Sequence, residues 1–151
     1  MKTRIALMSM LAASCVAQGA WAGEHQSFST PMLPAYKQEC SGCHVAYAPS
    51  MLPAPSWQRI MSNLNHHFGT DASIDSADVK QISAWLARNA GTREAPPEDR
   101  ITKSAWFVRK HDEVPAAAWK RPSIRSASNC AACHTRADQG DFNEHAVRIP
   151  R

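Results

Sequence analysis

Methionine is missing from everything after Met61. The second half of the chain therefore has no thioether to offer a metal, and histidine is the strong-field ligand it can supply. Long apolar runs are missing too: the stretch from Ile5 to Val16 is about a dozen residues, too short to cross a bilayer. Aromatic residues amount to 7%, and ten prolines interrupt a chain of modest hydrophobicity. These scarcities argue against a sheet-built core and for short helices joined by extended loops. The net charge is +4. Loss of Lys2 and Arg4 with a leader would bring it to about +2, which is not the balance of a nucleic-acid binder.

What is present occurs twice: Cys40-Ser41-Gly42-Cys43-His44 and Cys130-Ala131-Ala132-Cys133-His134. Cys-x-x-Cys-His is the attachment signature of c-type haem. The spacing has a chemical reason. One helical turn presents both thiols on one side to the haem vinyl groups, and the histidine after the second cysteine reaches the iron. A redox dithiol or a structural disulfide needs only the cysteines, so a histidine in the same place both times would be coincidence. Tetrahedral zinc needs four ligands, and a Cys2His2 site drawn from both copies would leave two of the six over. The expected cofactors are two covalently attached haems, with Cys40, Cys43, Cys130 and Cys133 as linkers and His44 and His134 as proximal ligands. Each half is near the size at which a chain struggles to bury enough apolar surface, and a bound macrocycle supplies the missing core.

The chain opens with Met1-Lys2-Thr3-Arg4, the apolar run and then Ala20-Trp21-Ala22, the pattern of a secretory signal peptide cut after Ala22. Cleavage resolves the cysteine arithmetic, because of five cysteines only Cys15 would leave. A lipoprotein site at Cys15 is the rival, but the usual Leu three places ahead is absent. The expectation is export to the periplasm, where c-type haem is attached.

Residues 23–92 then read as one haem domain and 93–151 as a second, with the charged, proline-rich Arg93-Glu94-Ala95-Pro96-Pro97-Glu98-Asp99 between them. Gly23 to Pro34 is expected as an extended arm, and Ala35 to His44 as a helix delivering the first motif. Ser56 is expected to cap a helix whose Trp57, Ile60, Met61 and Leu64 form a core-facing stripe, with Gly69 as its C-terminal cap. Asp75 or Ser76 opens another, carrying Val79, Ile82, Trp85 and Leu86. This order resembles a class I cytochrome c. Beyond the boundary, Ser104 to Lys110 and Val114 to Lys120 read as short helices and the tail from Asp141 as extended. The fold class expected is mainly α, a class I cytochrome c-like domain followed by a small haem-organised one.

Each iron needs a sixth ligand. No methionine stands between Gly69 and Asp75, where such a cytochrome usually offers one. The nearby pair His66-His67 takes that place, and His67 is the preferred candidate. Met51 and Met61 compete, although a methionine on an apolar stripe is more often core filler. For the second iron the candidates are His111, His145 and His25. A solvated role is the default for His25 and His145, whereas His111 has Trp106, Phe107 and Trp119 near it in sequence. Lys103, Arg109, Lys110, Lys120 and Arg121 form a basic stretch. It would suit an acidic partner or haem propionates, but a solvated surface explains it as well.

Taken together, the chain resembles the small diheme cytochrome c family of proteobacteria. The matching pieces are Leu52-Pro53-Ala54, Ser56-Trp57, His67-Phe68-Gly69, Arg100-Ile101-Thr102, His111-Asp112-Glu113-Val114-Pro115, Trp119-Lys120-Arg121-Pro122, the second haem motif, Asp141-Phe142 and Val147-Arg148-Ile149-Pro150-Arg151. The resemblance implies bis-histidine ligation with His67 and His111 as distal ligands. It also implies a membrane b-type cytochrome as electron source and a small oxygen-binding monohaem cytochrome c as acceptor. An electron carrier follows, because two filled axial positions leave no place for a substrate. A diheme redox enzyme or a gas-binding haem protein would need one displaceable ligand, and no cluster of Asp or Glu beside either motif suggests acid-base chemistry.

Overall fold

The structure is a computed structural model that describes residues 30–151. The signal segment, Cys15, His25 and most of the expected N-terminal arm lie outside the described residues. The fold is helical, as expected from the scarcity of strand formers: among the described residues there are four α-helices, joined by single 3-10 turns, and pairing between extended segments is limited to isolated bridges. No helix among the described residues is long and apolar enough to cross a membrane.

Helix α1 (Pro34–Cys40) starts on a proline, tolerated because the first turn needs no N–H partner. It is shorter than expected. The Ser41 N–H closes on the Lys37 carbonyl at 3.1 Å, and Ser41-Gly42, both weak helix formers, carry the chain out of the helix. Cys43 and His44 therefore sit in a turn.

Helix α2 (Ala54–Met61) also begins earlier than expected. Pro53 is the N-cap and Pro55 occupies the first turn. Ser56 is no cap but a fully buried residue whose Oγ accepts from the Arg59 guanidinium at 3.3 Å. Leu64 lies past the helix, in the single turn Leu64–His66. Gly69, at φ +99°, serves the bend after His67 rather than the end of α2.

Helix α3 (Ser76–Asn89) matches its expected span. Its Ile82, Trp85 and Leu86 occupy one face at spacings of three and four, and they join Tyr36, Leu52, Trp57 and Met61 in the main core. Burial of each such side chain stabilises by about 1.5–3 kcal/mol. The loop between α1 and α2 is pinned at two points. Trp57 Nε1 donates to the Pro49 carbonyl at 2.7 Å, and the Gly91 N–H donates to the Leu52 carbonyl at 2.8 Å.

Past Gly91 regular structure thins out. Pro96 is buried, and Asp99 receives both arms of the Arg59 guanidinium, at 2.7 and 2.8 Å, which ties this connection to α2. That pairing holds the Asp99 carboxyl below the usual range. Helix α4 (Ala105–Lys110) has Ser104 as a true cap, its Oγ accepting from the Phe107 N–H at 3.3 Å. The helix expected over Val114 to Lys120 is a single turn, Ala118–Lys120. The tail is not simply extended either. It makes a turn at Glu144–Ala146, and its Arg148 N–H donates to the Cys133 carbonyl at 2.9 Å. These last segments bury Ala118, Ile124 and Ala137.

The approach at Gly91 generates a stability prediction. A Cβ there would stand 2.2 Å from the Ser50 carbonyl oxygen, a backbone atom that cannot swing aside. Gly91→Ala should destabilise the haem-loaded protein by roughly 1–3 kcal/mol in denaturant unfolding. An unchanged midpoint would show that the loop yields freely.

Candidate haem centres

The first centre is assembled from the end of α1 and the bend after α2. Cys40 is half-buried in the last turn of α1, and burial pushes its thiol up to about 11. Cys43 is exposed in the following turn. His44 Nδ1 donates to the Val45 carbonyl at 2.7 Å, which leaves the Nε2 lone pair for a metal.

Opposite stands His67. The Leu64–His66 turn carries the chain to it, then Phe68 (φ 52°) and Gly69 (φ +99°) reverse direction so that the Thr70 N–H meets the His67 carbonyl at 3.1 Å. Left-handed backbone is what a glycine accepts without a Cβ penalty. The two imidazoles face each other with centroids 6.2 Å apart and planes inclined by 22°. Burial, and then His44 nearby, lower the His67 pKa, favouring the neutral ring that binds metals. Phe68 packs edge-on to His67 at 4.9 Å, and the Arg100 guanidinium covers the Phe68 ring at 4.5 Å.

The second centre uses the same pentapeptide on a different backbone. Cys130–Ala132 form one 3-10 turn, and the Cys133 and His134 N–H groups both donate to the Cys130 carbonyl, at 3.2 and 2.8 Å. Burial raises the Cys130 thiol to about 11. His111 ends α4, its Nδ1 donating to the Phe107 carbonyl at 2.8 Å. Its ring stacks on Phe107 at 4.0 Å, and Trp119 is 5.8 Å away. His111 and His134 again have centroids 6.2 Å apart, here with planes at 76°. Burial first, and His111 second, lower the His134 pKa. These rings, Cys130, Cys133 and Phe142 line a cavity of about 380 Å³, the size range of small-molecule sites.

The residues fit haem on three counts. An iron bonded to two imidazole nitrogens at about 2 Å, the usual metal to imidazole length, sets the ring centroids roughly 6 Å apart. Both pairs meet that separation. Among the described residues no group of three or more His, Cys, Asp or Glu could hold a bare ion, which sets these imidazole pairs apart from a closed site of four protein ligands. His134 Nδ1 and Trp106 Nε1, finally, are buried without a hydrogen-bond partner in the second centre, capacity that buried polar atoms seldom leave unused.

The structure thus brings His67 to His44 and His111 to His134. His66 and His145 are exposed. Met61 belongs to the main core, and Met51 is buried on the wall of the second cavity. The basic stretch is partly occupied within the chain: Lys103 pairs with Glu98, and Arg121 donates to the Pro150 carbonyl at 2.7 Å. Sequence reasoning missed Tyr47, whose ring stacks on His44 at 4.7 Å, and Phe142, 5.3 Å from His134. The one signal for Tyr47 was its place three residues after His44.

A family model described as dihaem cytochrome c matches residues 36–142. Among solved structures, a diheme cytochrome type c from Shewanella baltica OS155 is 38% identical, with a TM-score of 0.71 over 80% of this chain and 95% of that one. A crystal structure of the protein DHC from Rhodobacter sphaeroides is 43% identical, with a TM-score of 0.63 over 75% of this chain and 99% of that one. A further diheme cytochrome c structure from the same organism is 42% identical, with a TM-score of 0.66 over 74% of this chain and 97% of that one. No curated protein matches the chain significantly. A helical chain with two Cys-x-x-Cys-His motifs, each with a second imidazole facing its histidine, belongs to the dihaem cytochrome c family and carries two covalently bound c-type haems.

Proposed function

We propose that this protein is an exported electron carrier whose two irons are each held by two imidazoles, His44 with His67 and His111 with His134. Cys40 and Cys43 tether the first haem, Cys130 and Cys133 the second. The observation that carries the reading is the facing of the imidazole pairs at one iron-sized separation, 6.2 Å in both centres. The haems supply reversible one-electron exchange. The chain's part is to hold each imidazole in place, and it does so from the backbone. Val45 and Phe107 carbonyls fix the tautomers of His44 and His111, while Phe107 and Trp119 limit tilting of the His111 ring. With both axial positions filled, the protein passes electrons rather than transforming a substrate.

Thioether ligation is among the features that raise a haem potential, so histidine in its place points to two low-potential centres. The leader read in the first 22 residues supports a periplasmic location. By family resemblance the electron source is a membrane b-type cytochrome, and the acceptor a small oxygen-binding monohaem cytochrome c.

The ring angles give a spectroscopic prediction. Near-parallel imidazole planes split the iron d orbitals differently from near-perpendicular ones. The oxidised protein should therefore show two low-spin EPR signals, a rhombic one from the centre at 22° and a large-g one from the centre at 76°. A high-spin signal, or a thioether to iron charge-transfer band near the red edge of the visible spectrum, would contradict the ligand set.

Carbon monoxide separates a carrier from an enzyme or a gas-binding protein. The reduced spectrum of the unaltered protein should stay unchanged under the gas. His67→Gly and His111→Gly should each open one haem of the two to it. A shift in the unaltered protein would identify a displaceable ligand and overturn the carrier reading.

A further inference from the structure

Tyr47 belongs to neither centre and touches both. Its ring lies 4.7 Å from that of His44 with planes at 19°, a stacked pair. Its hydroxyl donates to the Ser128 carbonyl at 2.7 Å, across 81 residues of sequence. Burial first, and the neighbouring Cys130 side chain second, raise the pKa of the same hydroxyl. The Tyr47 backbone is held in turn, since its carbonyl accepts from the Tyr36 hydroxyl at 2.9 Å and Tyr36 is part of the main core. One half-buried phenol therefore spans from the imidazole of the first motif to the first cysteine of the second. Tyr47 also packs against the edge of the main core, but its hydroxyl takes no part in that packing and reaches the second half of the chain.

We infer that Tyr47 is the positioning residue for electron exchange between the two haems, docking the segment that leads into the second motif against the histidine of the first. The inference rests on the assignment of His44 and Cys130 to different haems. Where Cys130 is a thioether the sulfur has no proton to give, and the phenol donates its single proton to the Ser128 carbonyl. Exchange is balanced within the molecule. One electron leaves one iron, which goes from ferrous to ferric, and the other iron goes from ferric to ferrous. No bond forms or breaks, no proton moves, and Tyr47 stays a neutral phenol, the form that burial already favours.

A functional surface exposed to partners is not needed for the test. In half-reduced, haem-loaded protein the broadening of the haem methyl NMR signals reports intramolecular exchange, at a rate independent of protein concentration. Tyr47→Phe keeps the stack on His44 and removes the hydroxyl. Loss of one net hydrogen bond changes the population of a docked arrangement by up to about tenfold, and exchange should slow by up to that factor. Tyr47→Leu, which loses the stack as well, should slow it further. Asn89→Ala removes a hydrogen bond to the Trp85 carbonyl and leaves both the Tyr47 phenol and its Tyr36 anchor in place, so its exchange rate should match that of the unaltered protein.

Haem content and low-spin spectra of every variant check the ligand assignment separately, so its failure would not be mistaken for failure of the Tyr47 role. An unchanged rate in Tyr47→Phe overturns the inference. Equal slowing by Asn89→Ala overturns it too, because general loosening would then be the cause. In the unaltered protein the rate should be the same in heavy water, and slowing there would mean that a proton moves with the electron.

Discussion

Two imidazoles brought face to face at 6.2 Å are too far apart for a direct hydrogen bond and too close to be solvated independently. Left alone the arrangement costs free energy, since half-buried ring nitrogens want partners. Each pair could instead hold one iron between its two rings, which would turn that cost into two bonds. The rest of the molecule is arranged so that four histidines from distant parts of the sequence meet in this way. Residues 44 and 67 are brought together by packing α1 and α2 on α3, and residues 111 and 134 by very little regular structure.

That difference in support explains the uneven architecture. The main core, with Trp57, Ile82, Trp85 and Leu86, lies wholly before the Arg93 to Asp99 connection. It orients the first pair with ordinary helix packing. After the connection α4 is six residues long and most of the remainder is turns. Aromatic side chains around His111 and the pinning of the tail on Cys133 do there what a helical core does elsewhere. A short segment with so little apolar surface of its own is stable only with an additional hydrophobic group to pack against, and the 380 Å³ cavity lies where that group belongs.

Much of this was legible in the sequence because the chemistry is local. A thiol pair three apart with the next residue histidine states its purpose without tertiary information, and the apolar spacing of α3 located that helix to its ends. The sequence left open which of His66 and His67 turns inward, with His67 preferred beside Phe68. In the structure it is the His67 ring that faces His44, through a reversal at Phe68 and Gly69 that depends on backbone geometry. The errors have a common cause. Ser56 is the expected cap, yet Pro53 and Pro55 start α2, where a first turn requires no N–H. Val114 to Lys120 and the tail were read from composition alone, and tertiary contacts decided both. Tyr47 was invisible because its role depends on Ser128 and Cys130, more than eighty residues away.

Identical motifs do not make identical sites. The pentapeptide leaves a helix in the first centre and forms a 3-10 turn in the second. One proximal imidazole has a carbonyl on its Nδ1, and the other has a buried Nδ1 with no such partner. The ring planes are nearly parallel in one pair and nearly perpendicular in the other. Hydrogen bonding to the ligands is one means by which a protein tunes haem iron, and it differs here between the two motif histidines. The motif therefore settles which group is bound, and the surrounding chain settles how that group behaves. A dihaem cytochrome c with two such unlike centres has a built-in asymmetry, which two copies of one motif in one setting would lack.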